Sequence, residues 1–313
     1  MEYGRKSAQL TIFQMKVYSN VYVVILAFVA ITFLIWISIG QKDSSVVEEN
    51  EPLSYHDASV FFEEKNFFDQ ILNSNNKQKL TRDVSGVVIP HHLLASDIIV
   101  EFFSNIPNSQ SVKRVILIGP NHYERGDTVF TTSRYGWKTP VGDVLPDINL
   151  IDELTKKTSS LEVNELVIEQ EHSIGGIASF IAHYLPTAHI VPIVISRQAN
   201  LSDLKELATI LKNIDTEETI FVSSVDFSHY LSLSEAEEKD SETLKILRQR
   251  DLETLLKLDE SNTDSPEALA LLLLLMEQQG IYSFDVVEHK NSADYTNKTE
   301  VETTSYYSII FTK

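Results

Sequence analysis

The 313-residue chain contains no cysteine. That absence excludes disulfides, CxxC redox sites, thiolate-bound zinc, iron–sulfur clusters, cysteine nucleophiles and a lipoprotein anchor. Basic residues are also few, because 26 Lys and Arg stand against 45 Asp and Glu and give a formal net charge of −19. A protein that binds nucleic acid through its phosphates usually needs a basic surface, so the composition predicts no nucleic-acid partner. Chemistry is left to nine histidines, the carboxylates and the hydroxyl side chains.

The sequence also lacks four common functional patterns, namely the P-loop, GxGxxG, HExxH and the GxSxG nucleophile elbow. Hydrophobic residues are not scarce, since they make up 43% of the chain, and this fraction excludes a largely disordered polypeptide. A chain of this length can form one large or two small domains with a sizeable buried core.

One long segment near the N terminus carries no charged side chain. It covers the 24 residues 17–40, which as a helix would extend about 36 Å, enough to cross a hydrocarbon layer of about 30 Å. Tyr18, Tyr22 and Trp36 lie near its ends, where interfacial aromatic residues are expected. We predict a transmembrane signal anchor over residues 17–40. A buried core helix and a cleaved signal peptide are the alternatives.

The distribution of charge predicts an orientation for this anchor. The first 40 residues contain three basic residues and one acidic residue, a net charge of +2, so the remainder carries −21. Because positively charged flanks stay in the cytoplasm, we expect residues 1–16 to form a short cytoplasmic tail and the main domain to be extracytoplasmic. Residues 41–80 are predicted to form an acidic juxtamembrane linker with a short helix within residues 58–72. Residues 81–313 form the predicted main domain.

From residue 81 onward, apolar strand-like runs alternate with helical segments. The predicted strands are residues 84–90, 113–119, 128–132, 189–195, 219–224, 282–288 and 304–312. The predicted helices are residues 93–103, 171–185, 201–213, 234–258 (one helix or two) and 266–279. This alternation predicts an α/β fold, with a central, mostly parallel or mixed sheet and helices on both faces.

Histidine and aspartate residues follow three of the predicted strands. His91 follows the first of these strands and His122 the second, and Asp226 and His229 follow a later one. His172 lies at the start of a predicted helix, where exposed backbone N–H groups and the helix dipole favour a functional role. Since ligands of α/β sheets bind at the carboxyl ends of the strands, we expect these side chains at one edge. Two or three imidazoles with a carboxylate can bind Fe(II), Zn or a similar cation, and a further His–Asp pair can transfer protons.

The other five histidines are predicted to lie outside the site, with His183 in a structural role and His189 at the start of its strand, at the opposite end of the sheet. His92 is next to His91, and neighbours in an extended chain point to opposite sides, so we expect only His91 to face the site. His56 and His289 have no informative neighbours and are predicted to lie at the surface.

Five short motifs, in this order, resemble the Memo family, whose prokaryotic members are called AmmeMemoRadiSam system protein B. They are residues 88–91 (VIPH), 118–122 (IGPNH), 137–142 (WKTPVG), 171–174 (EHSI) and 222–230 (VSSVDFSHY). The ending from Tyr295 to Tyr307 also resembles the family, so the resemblance covers the chain from about residue 81 to the C terminus. The family's fold is similar to that of class III extradiol dioxygenases, a non-heme iron group with an α/β core.

The resemblance implies roles for individual residues. His91 and His122 match the family's metal-ligand histidines. Further pocket residues implied by the family are Asp226, His172 and His229. The family commonly places a Cys before a late helix, but residues 261–266 (SNTDSP) contain none, and Asp264 is the candidate replacement as an oxygen ligand. The family's usual PHAGY is also changed, to PHHLL at residues 90–94.

These observations lead to three alternative functions. The first is a membrane-anchored, oxidoreductase-like protein with a metal at His91, His122 and Asp264. The catalytic residues would then be His229, as acid and base, with Asp226 and His172. The second is a non-catalytic binding or adaptor module that uses a dioxygenase-like pocket, and the third is a metal-dependent hydrolase. The expected cofactor is a divalent transition metal ion, Fe, Cu or Zn, and the expected partners are the membrane and an unknown small-molecule or protein ligand.

Overall fold

The computed structural model describes residues 53–73, 80, 82–212, 214, 216–296, 298–299 and 302–313. The predicted cytoplasmic tail (1–16), the predicted anchor (17–40) and the first part of the predicted linker lie outside the described residues. Within the part of the chain that is described, no helix has both the length and the apolar character needed to cross a membrane.

Strands and helices alternate along most of the described chain. The strands are β1 Tyr55–Asp57, β2 Val84–Ile89, β3 Arg114–Pro120, β4 Phe130–Thr132, β5 Gly136–Thr139, β6 Gly142–Pro146, β7 Leu161–Val163, β8 His189–Ile195, β9 Thr219–Ser224, β10 His229–Leu231, β11 Asp285–Asn291 and β12 Thr303–Thr312. The helices are α1 Glu64–Asn73, α2 Ser96–Ser104, α3 Ile148–Lys157, α4 Glu165–Glu169, α5 His172–Tyr184, α6 Leu201–Leu211, α7 Leu233–Gln249, α8 Leu252–Leu255, α9 Pro266–Gln278 and α10 Ser292–Thr296. Short 3-10 segments occupy Ala58–Phe61, Leu93–Ala95 and Ser109–Ser111.

Four parallel strands form the centre of the sheet because their sequences are apolar along both faces. They lie in the order β8-β3-β9-β2, and every residue of β2 and β9 is buried. On one side β12 joins β2 in antiparallel orientation and pairs in turn with β11 and β10. On the other side β8 pairs in parallel with β6 and in antiparallel orientation with β4. The sheet is therefore mixed around a parallel centre, and the predicted α/β class is confirmed.

Helices cover both faces of this sheet. Ile116 and Ile118 of β3 contribute to one core, together with α6 and α9. Val115 and Leu117 contribute to the other core, together with α2 and α5. The two sets alternate because successive side chains of a strand point to opposite faces.

The α/β unit begins before the predicted boundary at residue 81. Strand β1 pairs in parallel with β5, and the short helix predicted within residues 58–72 is present as α1. The contacts group Leu53–Lys313 as one unit. Periodicity could not identify β1, because three residues are too few to show an alternation.

One longer helix, α3, is absent from the sequence prediction although its signals are present. Leu150, Ile151 and Leu154 lie on its buried side, and the Asp147 side chain caps its first turn by accepting from the Leu150 N–H. An aspartate followed by apolar residues at helical spacing is a normal helix start. The sequence prediction also lacks six short elements, each of five residues or fewer: β5, β6, β7, β10, α4 and α10.

Candidate metal centre

The candidate centre lies where the parallel strands end. His91 comes two residues after β2, His122 two residues after β3 and Asp226 two residues after β9. These three strands are in parallel register, so the common offset places their side chains at the same edge of the sheet. The edge predicted from the sequence is therefore the one at which these residues meet.

Helix α5 begins at the same edge. His172 is its first residue, and Glu171 precedes it as the N-cap residue. The close approach of α5 to β3 requires a glycine, because a Cβ on Gly119 would lie 2.5 Å from the Ser173 Oγ. The Ser224 hydroxyl donates a hydrogen bond of 2.7 Å to the Ser173 carbonyl and joins α5 to the end of β9.

The His91 ring is held by its Nδ1 atom. Nδ1 lies 3.1 Å from the Ser224 carbonyl oxygen, which can only accept, so Nδ1 carries the proton and the neutral ring keeps its lone pair on Nε2. The His91 backbone N–H donates to Asp226 Oδ1 at 3.1 Å. His91 is buried, and its Nε2 lies 3.2 Å from Asp264 Oδ2.

His122 is held in the same way by a carboxylate. Its Nδ1 lies 2.5 Å from Glu171 Oε1, and its backbone N–H donates to Glu171 Oε2 at 2.9 Å. Glu171 is fully buried. The second ring nitrogen, Nε2, lies 3.7 Å from Asp264 Oδ2. Both histidines thus use Nδ1 to bind the protein and direct Nε2 at one carboxylate oxygen, the arrangement that orients metal-binding histidines.

Asp264 is fixed opposite the two imidazoles. Its backbone N–H donates to the Asp226 carbonyl at 3.2 Å, and its Oδ2 accepts from the Asp226 N–H at 3.2 Å. Its other oxygen, Oδ1, is buried and has no hydrogen-bond partner among the described residues. A buried carboxylate oxygen without a partner is costly, and a cation would satisfy it. The residues present therefore fit a metal ion.

Among the described residues, two groups of side chains could share a cation, with their ligand atoms within 4.8 Å of one another. One group is His91, His122 and His172, and the other is His91, Asp226 and Asp264. His91 belongs to both groups, so the two describe neighbouring parts of one centre.

The pKa values at the centre follow from burial and from neighbouring charges. Burial opposes protonation of His122, but Asp264 and Glu171 outweigh it and raise the His122 pKa to about 10. For His172 burial acts first, and the charges of His91 and His122 add to it, so the pKa falls to about 3. Burial favours the neutral form of Asp264, but the His91 charge and the hydrogen bond with His122 prevail and lower its pKa. A metal ion must therefore compete with a proton for His122, whereas His172 is already neutral.

The structure brings the three predicted catalytic residues close to the centre in different ways. The His172 ring stacks on His122, with centroids 4.1 Å apart, and its side chain is 40% exposed. Asp226 is buried beside His91. His229 lies at the start of β10, outside both cation groups, although its charge acts on the pKa of Asp264. Its Nδ1 is buried and has no hydrogen-bond partner among the described residues.

Sequence reasoning missed the role of one residue of the site, Glu171. Glu171 was quoted within a motif but given no role, and only the structure shows that it binds His122. His92 is predicted to face away from the site and belongs to neither cation group, although the charges of Asp226, His91 and His229 act on its ring. Burial is the largest effect on the His92 pKa and lowers it. The His92 backbone is extended and its side chain is exposed, whereas His91 is buried, so the two neighbours differ in placement as the alternation rule predicts.

The surface prediction is wrong for His56 and confirmed for His289, whose side chain is exposed. His56 is buried at 3% exposure, with its Nε2 2.9 Å from Ser133 Oγ and 3.1 Å from Glu165 Oε2. His289 places its Nε2 3.0 Å from Asp240 Oδ2 and stacks on Tyr307. Their partners lie far away in the chain, so local sequence carried no signal for these contacts.

Fold and site together define an α/β protein with a histidine–carboxylate centre at the carboxyl edge of its parallel strands. The family described as Memo-like protein matches residues 58–310, and the chain belongs to that family. A MEMO1 family protein of Pyrobaculum arsenaticum is 29% identical over 243 residues, which are 74% of this chain and 85% of that protein. One from Caldivirga maquilingensis is 26% identical over 237 residues, 74% of this chain and 84% of the other. An uncharacterized protein from Escherichia coli K12 has a solved structure that matches with a TM-score of 0.46 and 13% identity, over 71% of this chain and 98% of that one.

Proposed function

We propose that the protein is a metalloprotein of the Memo-like family in which His91, His122 and Asp264 hold a divalent transition metal ion. One observation carries the proposal. Both imidazoles are tied through Nδ1 to a protein acceptor, and both Nε2 atoms approach the same oxygen of a buried aspartate. Such partners fix the tautomer and the direction of a metal-binding histidine.

The donor set favours one kind of metal. Two histidines with one carboxylate are typical of non-heme Fe(II) sites, and the carboxylate oxygen suits Fe(II) or Zn(II) better than Cu(I). Bound Fe(II) would supply redox chemistry at positions that the protein leaves open. The function we propose is therefore oxidoreductase-like, with Fe as the first candidate and Zn or Cu as alternatives.

The remaining residues act around this centre. Asp226 holds the His91 backbone and adds a carboxylate next to it. His172 stacks on His122 at the exposed side of the pocket, where it can contact a ligand. His229 is the proposed acid and base, because its buried Nδ1 has no hydrogen-bond partner among the described residues.

The proposal includes attachment to the membrane. Residues 17–40 carry no charge and are preceded by basic residues and followed by acidic ones. A single anchor with the N terminus in the cytoplasm and the α/β unit outside accounts for this pattern. A C-terminal reporter enzyme that is active only outside the cytoplasm tests the orientation, and activity of a cytoplasm-only reporter would overturn it.

Metal analysis tests the proposed centre. The full chain, purified in detergent without a histidine tag, is loaded anaerobically with Fe(II), Zn(II) or Cu and analysed for bound metal. We expect about one metal ion per chain in the wild type, and loss of it in H122A and D264A. H183A is the matched control, because His183 is exposed on α5 and away from the strand ends.

The result also separates this function from the alternatives. If the wild type binds no transition metal, the metalloprotein proposal fails and a non-catalytic binding module becomes the better account. If metal binds, oxygen uptake with a panel of catechols distinguishes an oxygenase from a hydrolase, which would consume no oxygen.

A further inference from the structure

The proposed metal centre does not account for the position of His92. This residue follows the proposed ligand His91, but its side chain is exposed whereas His91 is buried. Its ring is hydrogen-bonded to Tyr306 of β12, two residues from Thr304, which pairs with His229 in the β10–β12 ladder. His92 therefore borders the same pocket from the solvent side. The family's PHAGY motif has an alanine at this position, which could not donate a side-chain hydrogen bond.

A hydrogen bond to a buried tyrosine fixes the His92 ring. Its Nδ1 lies 2.6 Å from the Tyr306 hydroxyl, and the two rings pack edge to face with centroids 5.7 Å apart. Tyr306 is fully buried on β12, so it is a rigid support. The Tyr306 phenolic proton is enclosed by the protein and needs an acceptor there.

The order of donors determines the tautomer of His92. Because the Tyr306 hydroxyl is fully buried and His92 Nδ1 is the acceptor within its reach, at 2.6 Å, the phenolic proton points at His92 Nδ1. A neutral imidazole has one donor and one acceptor, so Nδ1 accepts and Nε2 carries the N–H. No hydrogen bond joins this Nε2 to another protein group in the described part of the chain. An oriented donor is thus left over at the edge of the pocket.

We propose that His92 orients the ligand of this site, donating from Nε2–H to an anionic or carbonyl acceptor of the molecule that occupies the pocket. Tyr306 is a positioning residue that acts through His92. The ligand class follows from the donor: a carboxylate, a phenolate, a ketone or a similar group, rather than an apolar molecule or a cation. The proposal rests on the proposed function only in placing that ligand next to a metal ion.

The tautomer can be tested without any metal. In metal-free full-length protein at mildly alkaline pH, ¹⁵N NMR of the histidine rings reports which nitrogen carries the proton, and H92L identifies the His92 signals. We expect the Nε2–H tautomer in the wild type, a mixture of tautomers in Y306F, and no change in Y307F, the matched control on the adjacent position of β12. An Nδ1–H tautomer in the wild type, or an unchanged signal in Y306F, would overturn the proposal.

The contact with a ligand is tested with azide as the probe. Azide is an anion that binds metals and accepts hydrogen bonds, and its binding to Co(II)-loaded protein can be followed by visible absorption. We expect H92L to weaken azide binding about tenfold at unchanged cobalt content, and Y307F to leave it unchanged. Equal azide affinity in H92L and the wild type would refute the role, as would a cobalt-loaded wild type that does not bind azide. If the wild type binds no cobalt, the proposed function has failed, and the tautomer measurement still decides the assignment of His92.

Discussion

Histidine and carboxylate meet at several places in the described part of the chain, and two of these places have opposite outcomes. In the first, which we call the edge site, His91, His122 and Asp264 meet at the ends of the parallel strands. In the second, the His56 cluster, His56 contacts Ser133 and Glu165 beneath the β1–β5 edge. Both lie mostly buried, yet they differ in how many of their polar atoms already have a hydrogen-bond partner in the protein.

The His56 cluster is closed. One nitrogen, His56 Nε2, contacts both Ser133 Oγ at 2.9 Å and Glu165 Oε2 at 3.1 Å, and Ser133 also donates to Glu165. The rings of Tyr135 and Trp137 pack against the imidazole. These are the residue types of a hydrolase triad, but a triad needs serine and carboxylate on different ring nitrogens. The cluster is therefore a structural contact between β1, the chain before β5, and α4.

The edge site is open by comparison. Its Nδ1 atoms are satisfied by Ser224 and Glu171, but both Nε2 atoms share one oxygen, and Asp264 Oδ1 has no partner among the described residues. The difference shows that residue types alone do not identify a site. A functional site is recognised by well-oriented polar atoms that the protein itself leaves unsatisfied.

The largest effect expected from this difference is on metal affinity. H91A should lower the affinity for Fe(II) or Zn(II) by more than about 100-fold, since it removes a ligand rather than a supporting group. H56A should leave the affinity unchanged. Competition with a chromophoric chelator measures both, and equal losses in the two variants would contradict the distinction.

The second effect is on stability, where the His56 cluster should matter although it does not affect metal affinity. H56A should lower the free energy of unfolding by about 2 kcal/mol, because Ser133 and Glu165 would lose a buried partner. Urea denaturation of the metal-free protein measures the change. The control is H183A, because removal of this exposed side chain should lower the free energy of unfolding by less than about 0.5 kcal/mol. If H56A has the same free energy of unfolding as the wild type, the His56 cluster does not contribute to stability.

A third prediction concerns pH. The folded state raises the His122 pKa from 6.5 to about 10, so this group stabilises the fold fully below pH 6.5 and loses that contribution as the pH rises toward 10. Between pH 6.5 and 8 the loss should be about 1.5 kcal/mol. The measurement is the unfolding free energy of metal-free wild type minus that of H122Q at each pH. A difference that stays constant across this range would rule out the raised pKa.

The smallest effect expected is on the support of His122. E171Q removes the charge opposite His122 Nδ1 and should weaken metal binding about tenfold, as is typical when a group behind a metal ligand is changed. The matched control is E169Q, an exposed carboxylate at the end of α4. If E171Q and E169Q bind metal alike, Glu171 does not support the centre.

Much of the fold was predictable because it depends on local pattern. The predicted strands at residues 189–195 and 219–224 agree with β8 and β9 in both boundaries, since continuous apolar runs mark strands buried on both faces. Helix α9 begins at its predicted proline, Pro266. The early boundary of the unit at β1 was not predictable, because that strand depends on its partner β5.

The sequence predicts which residues form the site, but it does not predict the hydrogen bonds that join them. His91, His122 and Asp226 could be placed at one edge because each follows a parallel strand. The roles of Glu171 and Tyr306 could not be inferred in this way, since they depend on the docking of α5 and on the pairing of β12 with β2. These contacts join residues 49 and 214 positions apart.

The sequence by itself therefore determined the α/β class, the family resemblance and the edge at which the histidines meet. Hydrophobic periodicity, and the residues that follow each strand along the chain, are local properties. Only the tertiary structure decided which polar atoms are used and which are left over. That choice separates His56 from His91, and it depends on distances between segments that are remote in the chain.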